Sequence, residues 1–81
     1  MYRLTYDPGV EALHDQLPPA ASAALTVALQ AACHDPLGNT APRGIAEEWN
    51  RAVHTDDAIA SILVSYTQKT IVVLDVINLS S

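Results

Sequence analysis

The sequence predicts an α+β domain in which one strand, two helices and three further strands follow one another. Three observations support this prediction: an alternating apolar segment at the N-terminus, two segments with apolar residues at helical spacing, and three strand-like segments in the second half. The 81 residues fit one compact domain and leave no room for a second. We therefore expect a single domain over residues 1–81.

The first strand and the first helix are short. Tyr2 to Tyr6 alternates large apolar and polar residues, as a half-buried strand does. Asp7-Pro8 is typical of a helix start, because Asp accepts hydrogen bonds from free backbone N–H groups and Pro suits the first helical position. The predicted inner stripe of this helix is Val10, Leu13 and Leu17.

A second helix is predicted from about Pro19 to about His34, after the break at Pro18-Pro19. Its apolar positions at helical spacing are Ala21, Ala24, Leu25, Ala28, Leu29 and Ala32. The opposite side also has few charges, and a helix that is weakly polar all round is often covered on both sides.

In the second half of the sequence, Pro, Gly, Asn and Asp residues predict a loop over residues 35–46, and three strand-like segments after it predict a meander. Two tight hairpins would join the strands. The predicted strands are Glu48 to His54, Ile59 to Tyr66 and Thr70 to Leu79. In the last strand, one face would carry Ile71, Val73, Ile77 and Leu79, and the other Val72, Leu74 and Val76. Apolar residues on both faces indicate a strand inside the sheet.

The charge of the chain disfavours nucleic acid as a partner. Four Lys and Arg against nine Asp and Glu give a formal net charge of −5. Proteins that bind phosphate backbones usually carry clustered cations, because counterion release supplies much of the affinity. The positive residues are scattered along this sequence: Arg3, Arg43, Arg51 and Lys69.

Cys33 is the single cysteine, so no disulfide can form within the chain. A reducing, cytoplasmic setting fits this composition. The N-terminal segment lacks the apolar stretch of a signal peptide, and no apolar run approaches the ~18 residues of a membrane span. We therefore expect a cytoplasmic protein.

The order of strand, two helices, Pro-rich connection and meander resembles the RelE/ParE family of toxins from bacterial toxin–antitoxin modules. Four local matches and the closing strand carry the resemblance: Tyr2-Arg3-Leu4-Thr5-Tyr6, Leu17-Pro18, Asp35-Pro36, Trp49-Asn50-Arg51 and Ile71-Val72-Val73-Leu74-Asp75-Val76. It implies a helical hairpin packed on a small, mostly antiparallel sheet. It also implies a ribosome-dependent messenger-RNA endoribonuclease that an antitoxin restrains.

This chain departs from the family where the chemistry is concerned. Similar toxins that cut messenger RNA place Lys, Arg and often a terminal Tyr or His on the concave face of the sheet, where cations hold the scissile phosphate. Here the meander's second strand has Ile62-Leu63-Val64 in place of a typical Arg, and residues 77–81 include no basic residue. The cleavage activity is therefore expected to be weak or absent.

The candidate catalytic residues are Arg51, His54 and Arg43. Arg51 matches a cation of the family, and it could contact a phosphate or a carboxylate ligand; the alternative is an ion pair with one of the acids. Histidine is a common general base in proteins, so His54 could act as one, or it could be an ordinary edge or turn residue. Their spacing of three places Arg51 and His54 on opposite faces of a regular strand.

Other residues predict little chemistry, and no cofactor is indicated. A metal site would need His14, His34 and Cys33 to converge, although neighbours on a helix point about 100° apart. His34 fits better as a cation at the negative end of the helix dipole. The paired carboxylates Glu47-Glu48 and Asp56-Asp57 are interpreted as solvated surface, and Trp49 as packing the sheet edge against the loop.

Two functions are therefore open. The first is a RelE-like toxin of a toxin–antitoxin module. The second is a catalytically degenerate protein of the same fold that works by protein binding, as a homodimer or with a small helical partner. A ParE-like action on gyrase needs no catalytic cluster and also stays open. The apolar second helix and last strand favour a dimer or a bound partner.

Overall fold

The computed structural model describes residues 1–44 and 48–80. Within them, two helices and a five-stranded sheet follow the predicted order, with one short strand added before the meander. The elements are β1 Arg3–Tyr6, α1 Val10–Asp15, α2 Pro19–His34, β2 Ala41–Pro42, β3 Asn50–His54, β4 Ala58–Ser65 and β5 Thr70–Asn78. The sheet order is β1-β5-β4-β3-β2, with β1 parallel to β5 and the other pairs antiparallel. The predicted α+β fold class is confirmed, and β5 lies inside the sheet as its two apolar faces indicated.

The hydrophobic core lies between α2 and one face of the sheet. Leu25 and Leu29 of α2 are fully buried against this face, together with Ile62 on β4 and Ile71 and Val73 on β5. Burying each of these side chains stabilises the fold by roughly 1.5–3 kcal/mol. Since side chains alternate along a strand, the intervening residues point to the opposite side of the sheet.

That opposite side is called the outer face here, and no helix among the described residues packs on it. The pairing register places on it Arg3, Thr5, Asn50, Ala52, His54, Ile59, Ser61, Leu63, Ser65, Thr70, Val72, Asp75 and Ile77. Leu63 and Val72 are half-buried near its centre, and Ile77 is 47% exposed. This side of the sheet therefore mixes polar and apolar residues, and no described helix covers it.

The first helix begins later than the sequence indicated. The backbone N–H of Asp7 donates to the carbonyl of Val73 on β5, so Asp7 still belongs to the strand pairing. The chain then turns through Gly9, whose φ of 84° is left-handed, and α1 begins at Val10 without a side-chain cap. The predicted capping role of Asp7 is therefore wrong, because a glycine makes the turn.

The inner stripe of α1 also differs in one position. Val10 and Leu17 are buried as predicted, but Leu13 is 39% exposed and His14 takes the inner position. Positions 10, 14 and 17 follow the helical period as well as 10, 13 and 17 do. Along α2, Ala24 is exposed, whereas Cys33 is buried.

The predicted loop contains a strand. Ala41–Pro42 pairs antiparallel with β3, through Ala41 opposite Ala52 and Pro42 opposite Arg51. The pairing continues as the backbone N–H of Arg43 donates to the carbonyl of Asn50. A proline tolerated at the edge of a sheet is consistent with this position, since its missing N–H is not needed there.

A β-bulge interrupts the alternation of β5. Val73 pairs with Ile62 and Asp75 pairs with Ser61, so Leu74 has no opposite residue on β4. Beyond this extra residue the faces exchange: Val76 is buried, whereas Ile77 and Leu79 are about half exposed. The prediction that Ile77 and Leu79 share the face of Ile71 and Val73 is therefore wrong.

Candidate functional site

Arg51 is held inside the protein by the segment that joins α2 to β2. Its side chain is 8% exposed. Nε donates to Oγ1 of Thr40 at 2.8 Å, and Nη2 donates to the carbonyl oxygens of Thr40 at 2.9 Å and Leu37 at 3.3 Å. A guanidinium carries five N–H donors in a rigid fork, which suits such convergent carbonyls. This geometry makes Arg51 a clamp between β3 and the preceding segment.

Arg43 lies beside β3, at the edge that β2 covers. Its Nε approaches the carbonyl oxygen of Arg51 at 3.4 Å, and its Nη2 approaches Oδ1 of Asn50 at 3.5 Å. The side chain is half-buried. Both distances lie at the upper limit for a hydrogen bond. The Arg43 guanidinium is therefore held less tightly than that of Arg51 and is more available to a ligand.

His54 ends β3 and is exposed. It pairs with Ile59 and shares the outer face with Asn50, while Arg51 pairs with Ile62 on the core face. Asn50, which Arg43 contacts, lies four residues from His54, a separation of roughly 13 Å along a strand. Arg51 and His54 thus lie on opposite faces of β3, Arg43 lies on the segment after β2, and the three residues do not form one cluster.

His14 joins α1, α2 and β1 through a buried polar network that the sequence prediction missed. It is 5% exposed. Nδ1 lies 2.8 Å from the hydroxyl of Tyr6, and Nε2 lies 3.0 Å from the carbonyl of Ser22 and 3.2 Å from Oγ1 of Thr26. Because a carbonyl only accepts, Nε2 carries the proton that it donates to Ser22, and in this tautomer the Tyr6 hydroxyl donates to Nδ1. The helical spacing from Val10 to His14 and Leu17 was the signal in the sequence.

The chemistry of Tyr6 is that of a structural phenol. Burial raises the pKa of Tyr6, and the nearby carboxylates Glu11 and Asp15 raise it further. A phenol held in its neutral form keeps its proton for the hydrogen bond to His14. The arrangement therefore stabilises the helical hairpin against β1.

Cys33 and His34 lie at the far end of α2 from His14. The backbone N–H of Tyr2 donates to the carbonyl of Cys33, whereas His14 contacts Ser22 and Thr26 in the first half of α2. From Thr26 to Cys33 the helix rises about 10 Å, so the three side chains do not converge. Within residues 1–44 and 48–80, no three His, Cys, Asp or Glu side chains are placed so that they could hold a metal ion together. Burial raises the pKa of the Cys33 thiol.

A group of aromatic side chains lies where β3 begins. Tyr66 donates its hydroxyl hydrogen to the carbonyl of Glu48, and its ring meets that of Tyr2 edge to face at 6.2 Å. The pKa of Tyr66 is raised, chiefly by burial, and the positive charge of Arg51 offsets part of this increase. Trp49 is 52% exposed, so about half of its surface is open to solvent. Glu47 lies outside the described residues.

Charges are segregated along the sheet. Asp7 follows β1, and the turn with Asp56 and Asp57 lies beside the end of β5, where the N–H of Leu79 donates to the carbonyl of Asp57. At the other end, the N–H of Arg3 donates to the carbonyl of Lys69. The end of the sheet formed by Asp7, Asp56, Asp57 and Asp75 is called the acidic end here.

No protein-family model and no curated protein sequence matches the chain. Among solved structures, the chain is similar to the crystal structure of the toxin–antitoxin complex RelBE2 from Mycobacterium tuberculosis. The superposition has a TM-score of 0.80 and 18% sequence identity, and it covers 95% of this chain and 96% of the other. This likeness confirms the predicted RelE-like fold. In the described residues, neither helix has the length and apolar character needed to cross a bilayer.

Proposed function

We propose that this chain is the toxin-type component of a toxin–antitoxin module and that it acts through protein binding, with weak or absent cleavage of messenger RNA. The fold supports the first part, since the similar structure is a toxin–antitoxin complex and the likeness extends over 95% of this chain. The site supports the second part.

The observation that supports weak or absent cleavage is the position of the Arg51 guanidinium. Its three hydrogen bonds to Thr40 and Leu37 bury the cation that the family resemblance would assign to phosphate binding. If the Arg51 guanidinium moved out to bind a phosphate, these carbonyl groups would lose their hydrogen-bond donor, at a cost of about 1–3 kcal/mol for each unsatisfied group. Arg51 is therefore proposed to act structurally.

The remaining cations lie away from His54 on the sheet. Its centre is formed by Leu63 and Val72, and its acidic end carries Asp75 opposite Ser61. Arg3 and Lys69 lie together at the other end, beyond the reach of His54 at the end of β3. A phosphate beside His54 would meet apolar groups and carboxylates, which disfavours the stabilisation of a developing negative charge.

Residual cleavage, where present, is proposed to use His54 as the general base and Arg43 as the phosphate contact. Both side chains reach solvent more freely than Arg51. The roughly 13 Å that separates His54 from Asn50, the neighbour of Arg43, exceeds the reach of one hydrogen-bonded phosphate. The expected rate is accordingly low.

The test is inducible expression of the chain in a bacterial host, alone and together with candidate antitoxins taken from the reading frames next to its own. Growth, new 5′ ends in messenger RNA and complex formation are followed in the same cultures. We expect a stable complex and intact messages. Message cleavage that His54→Ala or Arg43→Ala abolishes would overturn the binding mode, and failure to form any complex would overturn the assignment to a toxin–antitoxin module.

A further inference from the structure

The outer face combines exposed apolar residues with carboxylates at one end of the sheet. Ile77 is 47% exposed and pairs with the half-buried Ile59, and the neighbouring Leu79 is 51% exposed. Single exposed apolar residues are common, but a contiguous group on an uncovered sheet face indicates an interaction surface. Because Ile59, Ile77 and Leu79 lie together at the end of β5, we call them the apolar strip.

The bulge in β5 creates the apolar strip. With Leu74 unpaired, Val76 enters the core and Ile77 turns to the outer face. Regular alternation would have placed Ile77 on the core side with Ile71 and Val73. Bulges often re-aim side chains at functional positions, and here the consequence is an apolar residue displayed beside Asp75.

Carboxylates border the apolar strip. Asp56 and Asp57 lie in the turn before β4, and the carbonyl of Asp57 accepts a hydrogen bond from the N–H of Leu79. Asp75 is exposed on the outer face two residues before Ile77. The Lys and Arg side chains of the chain belong to other parts of the sheet: Arg3, Arg43, Arg51 and Lys69.

We propose that the apolar strip and the acidic end of the outer face bind a basic amphipathic segment of a partner protein. The segment's apolar side packs on Ile59, Ile77 and Leu79, and its Lys or Arg side chains face Asp56 and Asp75. This inference rests on the proposed function, for which it defines the chemistry of the bound partner. Complementary charge gives such an interface its orientation and a fast, salt-sensitive association.

Charge also disfavours a second copy of the chain as the partner that binds the apolar strip. Each copy carries a net charge of −5, and a symmetric dimer through this strip would bring two sets of Asp56, Asp57 and Asp75 together. Like charges at close distance oppose association. A basic segment relieves this repulsion while it covers the same apolar residues.

The probe is a synthetic amphipathic helical peptide of leucine and lysine, compared with a peptide of the same pattern in which glutamate replaces lysine. Binding to the full chain is measured by calorimetry at low and at moderate salt. We expect the lysine peptide to bind, with an affinity that falls as salt rises. The glutamate peptide is expected to bind at least about tenfold more weakly.

Matched variants locate the binding. Ile77→Ser and Asp75→Asn are each expected to weaken the lysine peptide about threefold to tenfold. Their controls are Val27→Ser, at a 65% exposed position on α2, and Glu11→Gln on α1, which makes the same change in net charge. The controls are expected to change the affinity less than about twofold.

The peptide experiment would overturn the proposal through equal loss of affinity in the controls, through equal binding of the glutamate peptide, or through dimerisation of the chain that Ile77→Ser abolishes. The last result would assign the strip to a second copy. A natural partner complex that Ile77→Ser and Asp75→Asn leave intact would contradict this surface while the proposed function stands. Peptide binding at the strip without any natural partner complex would support the surface and contradict the function.

Discussion

Arg51 and Thr40 are joined by two hydrogen bonds, from Nε to Oγ1 at 2.8 Å and from Nη2 to the backbone carbonyl at 2.9 Å. The pair connects β3 to the residue that precedes β2. Because Thr40 also donates its hydroxyl hydrogen to the carbonyl of Pro36, the clamp extends to the end of α2. The arginine that the family resemblance suggests for catalysis thus holds a long connection against the sheet.

Arg51→Ala is expected to lower the free energy of unfolding by about 2–4 kcal/mol, because it leaves the carbonyls of Leu37 and Thr40 without their donor. Urea denaturation measures the change. The control is Arg43→Ala, whose contacts at 3.4 and 3.5 Å are long, and which is expected to cost less than about 1 kcal/mol. Equal stability of the two variants would contradict the structural role of Arg51.

His14→Ala is expected to cost about 2 kcal/mol of stability, since it removes a buried side chain and the acceptor of the Tyr6 hydroxyl. Tyr6→Phe alone is expected to cost about 1 kcal/mol. A double-mutant cycle should show a coupling of at least about 0.5 kcal/mol between the two residues. The exposed His34→Ala serves as the control, and additive losses for Tyr6 and His14 would refute the hydrogen bond.

Stability is expected to fall at alkaline pH. Burial raises the pKa of Cys33 above 9.0 and that of Tyr6 above 10.0, so the unfolded chain loses these protons first. These two groups therefore contribute their full stabilisation below about pH 9. The contribution is lost as the pH rises through the pKa values of the folded state. Denaturation followed from about pH 8 to 11 tests this expectation. Cys33→Ala should remove the first part of the decrease, and an unchanged profile in this variant would contradict the assignment.

Lys69→Gly is expected to stabilise the protein by about 0.5 kcal/mol, because Lys69 has a φ of 51° in the turn between β4 and β5. Gly9→Ala is the opposite change at a φ of 84°, where an added Cβ meets no atom within 4 Å. Its expected loss of about 1 kcal/mol therefore reports the backbone alone. Thermal unfolding compares the two variants, and a destabilised Lys69→Gly would show that backbone strain does not dominate at this turn.

The elements of this fold could be predicted because their signals are local. Alternation marks β1 and β4, and the apolar spacing of Leu25 and Leu29 marks α2. The bulge at Leu74 could not be predicted, since an extra residue is defined only by its pairing with β4. For the same reason the two-residue β2 was missed, because its partner on β3 lies beyond the connection.

The candidate site was harder to predict than the fold. The sequence identified Arg51 as a notable cation, but its hydrogen-bond partners Leu37 and Thr40 lie 14 and 11 residues earlier, respectively. The separation of His54 and Arg51 followed from strand alternation and agrees with the register. The burial of His14 depends on Ser22 and Thr26, which face it only after the helical hairpin has formed.

The most direct test of the proposed binding mode is the mapping of messenger-RNA 5′ ends after induction of the chain, with His54→Ala as the comparison. We expect the same 5′ ends in the induced culture, the variant and an uninduced control, together with a protein complex that Ile77→Ser weakens. New 5′ ends that appear with the wild-type chain and vanish with His54→Ala would show an active endoribonuclease and contradict action through protein binding.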